Sequence, residues 1–180
     1  MWWIGETEMK LHILYILLLF SLTSCNGRIK ENHQNNTLVS WPVTAGKTIE
    51  GKVIRISDGD TFSLIFDNGF DVKVRLNGID SPERKQAFSK KAKQALSALI
   101  FDKVVTVAYK KKDRYGRVLG EVYVDGINVN HEMVRRGMAW HFTRYSDDKD
   151  LARLEQEARK NKVGLWSDPN AVAPWEFRGN

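Results

Sequence analysis

The sequence contains one cysteine, Cys25, so it excludes an internal disulfide and any cluster of thiolates able to hold zinc. Histidine is nearly as scarce. His12, His33, His131 and His141 lack the spacing of metal ligands, and the last three read as solvated or packed side chains. No apolar stretch reaches the roughly twenty residues of a spanning helix, which argues against a conventional transmembrane anchor. Internal repeats and low-complexity tracts are also missing. Acidic residues are in deficit, 22 against 28 lysines and arginines, leaving a net charge of +6. Such a surface attracts polyanions, whether nucleic acid or anionic lipid. With 42% hydrophobic and 28% charged residues, the 180-residue chain suits one compact domain plus an extension rather than a disordered polymer.

The extension comes first. Leu11 to Leu22 (LHILYILLLFSL) has the length of a signal-peptide core, with Lys10 as its positive flank. Leu22-Thr23-Ser24-Cys25 follows directly and resembles the bacterial lipoprotein box, in which the cysteine is lipidated and becomes the mature N-terminus. Residues 1–25 are therefore expected to be a signal peptide ending in that box. Met9 is the better start, because Glu6 and Glu8 oppose the positive charge expected there. Residues 26–46 are polar and aperiodic, which predicts a flexible tether, with Trp41 and Pro42 docking on the domain. The expected product is an exported protein, anchored to a membrane of the cell envelope through Cys25 or secreted if Cys25 is unmodified.

Residues 47–180 form the expected domain. Lys47 to Ser57 and Thr61 to Phe66 are strand-like and joined by Asp58-Gly59-Asp60. After Asp67-Asn68-Gly69, Phe70, Val72, Val74 and Leu76 alternate with Asp71, Lys73 and Arg75, which sets Arg75 on the face opposite Val74. Phe88, Ala92, Ala95, Leu96 and Leu99 repeat at helical spacing. Two more strands are predicted at Val104 to Tyr109 and Val118 to Val124, followed by a short helix capped by Asn130 and ended by Gly137. A last helix runs from about Asp147 to Asn161. Three consecutive antiparallel strands, a helix and two further strands are the layout of an OB-fold: an α+β class with a mainly β core, a five-stranded barrel and three α-helices.

Three stretches carry polar residues that folding alone does not require. Asp58-Gly59-Asp60-Thr61 serves as a hairpin turn, with Asp60 then an ordinary surface charge. In Arg75-Leu76-Asn77-Gly78-Ile79-Asp80-Ser81-Pro82-Glu83, Ser81-Pro82 also fits a helix start. Asp113-Arg114-Tyr115-Gly116-Arg117 also fits a solvated basic loop. Together they offer oxygen donors for a hard divalent cation and arginines for a phosphate, the ingredients of phosphodiester hydrolysis.

DGDT at 58–61, RLNGIDSPE at 75–83, DRYGR at 113–117 and VNHEMVRRGMA at 129–139 together resemble the staphylococcal nuclease family over about residues 48–166. That resemblance implies a calcium-dependent endo- and exonuclease acting on DNA and RNA, which breaks P–O5′ and leaves 3′-phosphorylated products. It implies Asp60, Asp80 and the Ser81 carbonyl as ligands to one Ca²⁺. Glu83 would orient or deprotonate the attacking water, and Arg75 and Arg117 would grip the phosphate. Arg114 and Tyr115 match positions that touch a nucleotide phosphate, and Tyr145 matches a tyrosine near the base. The departures are a short loop after Glu83, Thr143 in place of a second tyrosine and Ser81 in place of a threonine. A monomer without an obligate protein partner is expected. The competing reading is a non-catalytic nucleic-acid-binding OB-fold lipoprotein, which the full set of Asp60, Arg75, Asp80, Glu83 and Arg117 disfavours.

Overall fold

The computed structural model describes residues 46–179. The signal peptide, the Cys25 box, Trp41, Pro42 and the tether up to residue 45 lie outside the described residues. Strands β1 (Lys47–Ile56), β2 (Thr61–Ile65) and β3 (Asp71–Leu76) form an antiparallel meander. A two-residue strand β4 (Ile79–Asp80) and helix α1 (Ser89–Ile100) lead to β5 (Val104–Lys112) and β6 (Val118–Val124). β1 pairs with β5 through Lys47–Lys52 and with β2 from Lys52 onward, the second pairing carrying a bulge between Val53 and Arg55. The sheet closes through a parallel seam of β3 against β6, Val74 opposite Val118 and Leu76 opposite Gly120. The result is the five-stranded OB-fold barrel, and closure leaves its main strands without free edges.

The alternation in β3 is why the barrel has an inside. Val74 and Leu76 are buried, and they meet Phe62, Leu64, Val107 and Val122 from the other strands. Each fully buried Phe or Leu contributes about 1.5–3 kcal/mol. Phe70 departs from the expected pattern: it lies just before β3 and is 72% exposed. α1 lays Ala92, Leu96, Leu99 and Ile100 on the barrel and turns Lys90, Lys91 and Lys93 outward. Phe88 precedes that helix in a left-handed conformation and packs with a second cluster instead.

A two-residue strand β7 (Ile127–Asn128) precedes helix α2 (Val129–Arg135). The cap of α2 is Asn128, whose side chain accepts from the His131 N–H, and not Asn130 as the pattern suggested. Asn130 is buried, where it accepts from the Val122 N–H and donates to the carbonyls of Asn77 and Gly120. Both residues suit a cap by type, and only the fold shows which one serves inside the barrel.

Strand β8 (Trp140–His141) pairs with β4, and helix α3 (Lys149–Lys160) is capped by Asp148 within the expected bounds. A 3₁₀ turn (Gly164–Ser167) and a short helix α4 (Pro174–Phe177) follow, the latter not foreshadowed by the apolar period. Trp140, Leu165, Trp166 and Ala173 form a second small core, with Trp175 against it. The Arg159 guanidinium lies 3.6 Å from the Trp166 ring centroid.

Gly137 ends α2 at φ 60, and a Cβ there would stand 2.1 Å from the Val163 carbonyl oxygen. Gly137→Ala combines backbone strain with that overlap, so it is expected to destabilise by about 2 kcal/mol or more. Urea unfolding measures this, and an unchanged midpoint would show that the two segments separate freely.

Candidate active site

The approach of three loops is set by backbone bonds. The Leu76 N–H donates to the Asp60 carbonyl at 2.9 Å, and the Asp60 N–H donates to Asp58 Oδ1 at 3.1 Å. Gly59 lets this turn lie against its neighbours, since a Cβ there would come within 2.7 Å of Ala92 Cβ and 2.8 Å of Ser81 Cβ. Asp60 Oδ2 consequently accepts the Ser81 N–H at 2.8 Å, and its Oδ1 accepts the Thr61 hydroxyl at 2.9 Å. Asp80 arrives on β4, held opposite Trp140 of β8.

Asp60 is 2% exposed and Asp80 1%, so both carboxylates are removed from water. Arg75 balances them. It donates to Asp60 Oδ1 at 2.5 Å and to Asp80 Oδ1 at 2.6 Å. Burial opposes its charge, but Asp60 and Asp80 outweigh that and raise the Arg75 pKa above its ordinary value. Asp58 reaches solvent at one edge, yet burial of its carboxyl and then the nearby Asp60 push its pKa to about 6.

Glu83 lies beside this cluster, half-buried. Its N–H donates to Gln86 Oε1, and its carboxylate pairs with Arg178, which also donates to Asp80 Oδ2 at 2.7 Å. Asp60, Asp80 and Glu83 are thus linked through two guanidiniums. Among the described residues, however, no three His, Cys, Asp or Glu side chains stand close enough to hold a metal by themselves. The expected ligand set is smaller, two carboxylates and a carbonyl. It fits a hard divalent cation in two respects: the donors are all oxygen, and the two buried carboxylates already share one positive group between them.

Arg117 belongs to the same groove, an open cleft of 1070 Å³ also lined by Arg75, Glu83, Tyr115, Tyr145 and Arg178. Its Nε donates to Asp113 Oδ2 at 2.7 Å, and Asp113 Oδ1 accepts the N–H groups of Tyr115 and Arg117. DRYGR is therefore a tight, aspartate-organised turn rather than a loose basic loop. Arg114 and Arg117 flank the exposed Tyr115 ring, 5.0 and 5.4 Å from its centroid. On the opposite wall, Phe142 stacks on Trp175 at 5.0 Å and meets Tyr145 edge-on at 4.8 Å. His141 is packed in the interior, and His131 pairs with Asp148.

Residues 73–168 match the family described as Staphylococcal nuclease homologue. The chain belongs to the staphylococcal nuclease family. A protein called "Uncharacterized endonuclease" from Escherichia coli is 46% identical over 142 residues, 78% of this chain and 92% of that protein. One of the same description from Haemophilus influenzae is 43% identical across 94% of this chain and 85% of its own. "Micrococcal nuclease" of Shigella flexneri is 43% identical over 78% of this chain and 86% of its own.

Sequence reasoning brought Asp60, Arg75, Asp80, Ser81, Glu83 and Arg117 to attention, and the fold gathers them around one groove, with Arg114, Tyr115 and Tyr145 on its rim. It missed Arg178, Trp175, Gln86 and the service Asp113 performs for Arg117.

Burial opposes ionisation of Asp113, but the bonds from Arg117 and Tyr115 outweigh it and hold the pKa below 3.8. A depressed carboxylate pKa gives stability that is present above the unfolded value and lost as pH falls through the folded one. In an NMR titration the Arg117 Nε–H resonance is thus expected to shift with a midpoint below that of an ordinary aspartate. A midpoint at or above the ordinary aspartate value would mean that the clamp is weak.

Proposed function

We propose that this nuclease-family chain is a calcium-dependent phosphodiesterase that cleaves DNA and RNA at P–O5′ and leaves 3′-phosphorylated products. The observation that carries this reading is the junction of two buried aspartates and a glutamate through Arg75 and Arg178, at an open basic groove lined by Arg75, Glu83, Arg117 and Arg178. Such a groove accepts an extended polyanion, and its aromatic rim offers stacking faces for bases.

Asp60 and Asp80, with the carbonyl of Ser81, would hold the Ca²⁺. When bound, that ion supplies neutralisation of the anionic phosphate. Glu83, at the groove edge, takes a proton from the attacking water as the water oxygen bonds to phosphorus. Arg75 and Arg117 grip the non-bridging oxygens and absorb charge as phosphorus becomes five-coordinate. The P–O5′ bond then breaks, the 5′-oxygen leaves taking a proton from solvent water in the open groove, and the phosphate stays on the 3′ side. Arg114, Tyr115 and Tyr145 align the adjacent nucleotides. The binding-module alternative needs the same groove, but it gives no reason for Glu83 to stand beside the buried aspartates.

Digestion of single-stranded DNA is expected with Ca²⁺ and not with EGTA, followed as acid-soluble nucleotide. Equal release in EGTA would remove the metal assignment. Glu83→Gln and Arg117→Ala are each expected to slow turnover by about a hundredfold or more, the scale for one preorganised transition-state group. Near-native turnover in either would reassign its role.

We further propose export and attachment to a membrane through lipidated Cys25, a reading supported by the apolar segment and the residues before the cysteine. Cys25→Ser should move the protein from the membrane pellet to the soluble fraction, and retention in the pellet would exclude this anchor.

A further inference from the structure

The segment after the 3₁₀ turn does more than end the fold. It returns to the Glu83 loop and meets it at separate points. Gln86 donates through Nε2 to the Val172 carbonyl at 2.6 Å, while Oε1 of the same side chain accepts the Glu83 N–H at 2.8 Å. One glutamine thus ties the backbone of Glu83 to the C-terminal segment. Trp175 stacks on Phe142 at 5.0 Å and 4°, which fixes the segment beside the groove. Arg178 then reaches inward to pair with Asp80 and with Glu83.

The arrangement has an electrostatic logic. Three carboxylates, Asp60, Asp80 and Glu83, share two guanidiniums here, Arg75 and Arg178. Arg75 bridges the two aspartates, and among the described residues only Arg178 joins Glu83 to them. The Arg178 side chain is anchored at its guanidinium, lines the groove and is still 41% exposed to solvent. The Asp80 and Glu83 partners raise its pKa, Asp80 contributing most, so it carries its charge throughout the physiological range.

We infer that Arg178 is a positioning residue of the hydrolytic site: it holds the Glu83 carboxylate beside Asp80, and its own positive charge competes with a divalent cation for Asp80. This inference rests on the calcium-dependent hydrolytic reading. It gives the site two opposed dependences on one side chain. Without Arg178, Glu83 loses the guanidinium that fixes its carboxylate and samples unproductive rotamers, which lowers kcat more than it raises KM. Without Arg178, Asp80 also loses a competing cation, which strengthens binding of the metal. A side chain that served only the fold would weaken both properties together.

The test compares the unmodified chain with Arg178→Ala and Arg178→Lys. Ca²⁺ alone is titrated calorimetrically into the substrate-free proteins, and steady-state kinetics are measured on single-stranded DNA at saturating Ca²⁺. Arg178→Ala is expected to bind Ca²⁺ about threefold to fivefold more tightly, the scale for removing a partly exposed ion-pair partner. Its kcat is expected to fall about tenfold or more, with KM changed far less. Arg178→Lys keeps the charge without the fork and should hold Ca²⁺ affinity near that of the unmodified chain while recovering only part of kcat. Unchanged kcat in Arg178→Ala overturns the inference, as does Ca²⁺ binding that is equal or weaker. If the unmodified chain releases no nucleotides with Ca²⁺, the hydrolytic reading itself fails and takes the role of Arg178 with it. If it is active and only Arg178→Ala behaves like it, the hydrolytic reading stands and Arg178 alone is misassigned.

Discussion

Two carboxylates buried to within 2% of full enclosure, held 2.5 and 2.6 Å from one guanidinium, are the constraint to which the other loops conform. Withdrawing such charges from water costs several kcal/mol each unless partners of good geometry are supplied. The protein supplies them from separate parts of the chain. Asp60 comes from the turn that opens β2, Arg75 from the register position opposite Thr61, and Asp80 from the two-residue strand pinned by β8. Gly59 is the steric condition for the meeting, since any larger residue would push the Asp60 turn away from Ser81. The barrel holds together through apolar burial, but its rim is shaped by this ionic junction.

From that junction the groove extends in two directions with different characters. Toward β5 and β6 it is basic and hydroxylated, with Arg117 fixed in place by Asp113. Toward β8 and the C-terminal segment it is aromatic, with Phe142 in contact with both Tyr145 and Trp175. Phosphates suit the first wall and bases the second, and the hydrolytic reading draws on both.

Much of this was legible from pattern. The alternation of Val72, Val74 and Leu76 with Asp71, Lys73 and Arg75 told which face Arg75 occupies, because strand periodicity is local and strict. The stripe of Ala92, Leu96 and Leu99 identified α1 for the same reason, since helical period survives in any packing. What pattern could not supply was choice among chemically equivalent residues. Asn128 and Asn130 are alike as caps, and only the closing of β6 over Asn77 decides which is drawn inside. Phe88 continues the stripe of α1 on paper, yet the chain turns left-handed there and delivers the ring to the tryptophan cluster. Arg178 had no period at all. Its partners lie at Asp80 and Glu83, far upstream, and such a long-range ion pair leaves no local signature.

The parallel seam between β3 and β6 has a bearing on how the chain reaches this state. The two strands are joined by α1 and β5, so the seam is a non-local contact that needs the intervening loop to be closed first. Until it forms, β3 and β6 each display an open edge of unpaired amides, the kind of edge that invites pairing with a second chain. Asn130 stitches across this gap, bonding to Asn77 just after β3 and to Val122 and Gly120 within β6. The lifetime of the unsealed barrel, and with it the danger of aggregation during folding, is therefore governed in part by one buried amide that does not line the groove.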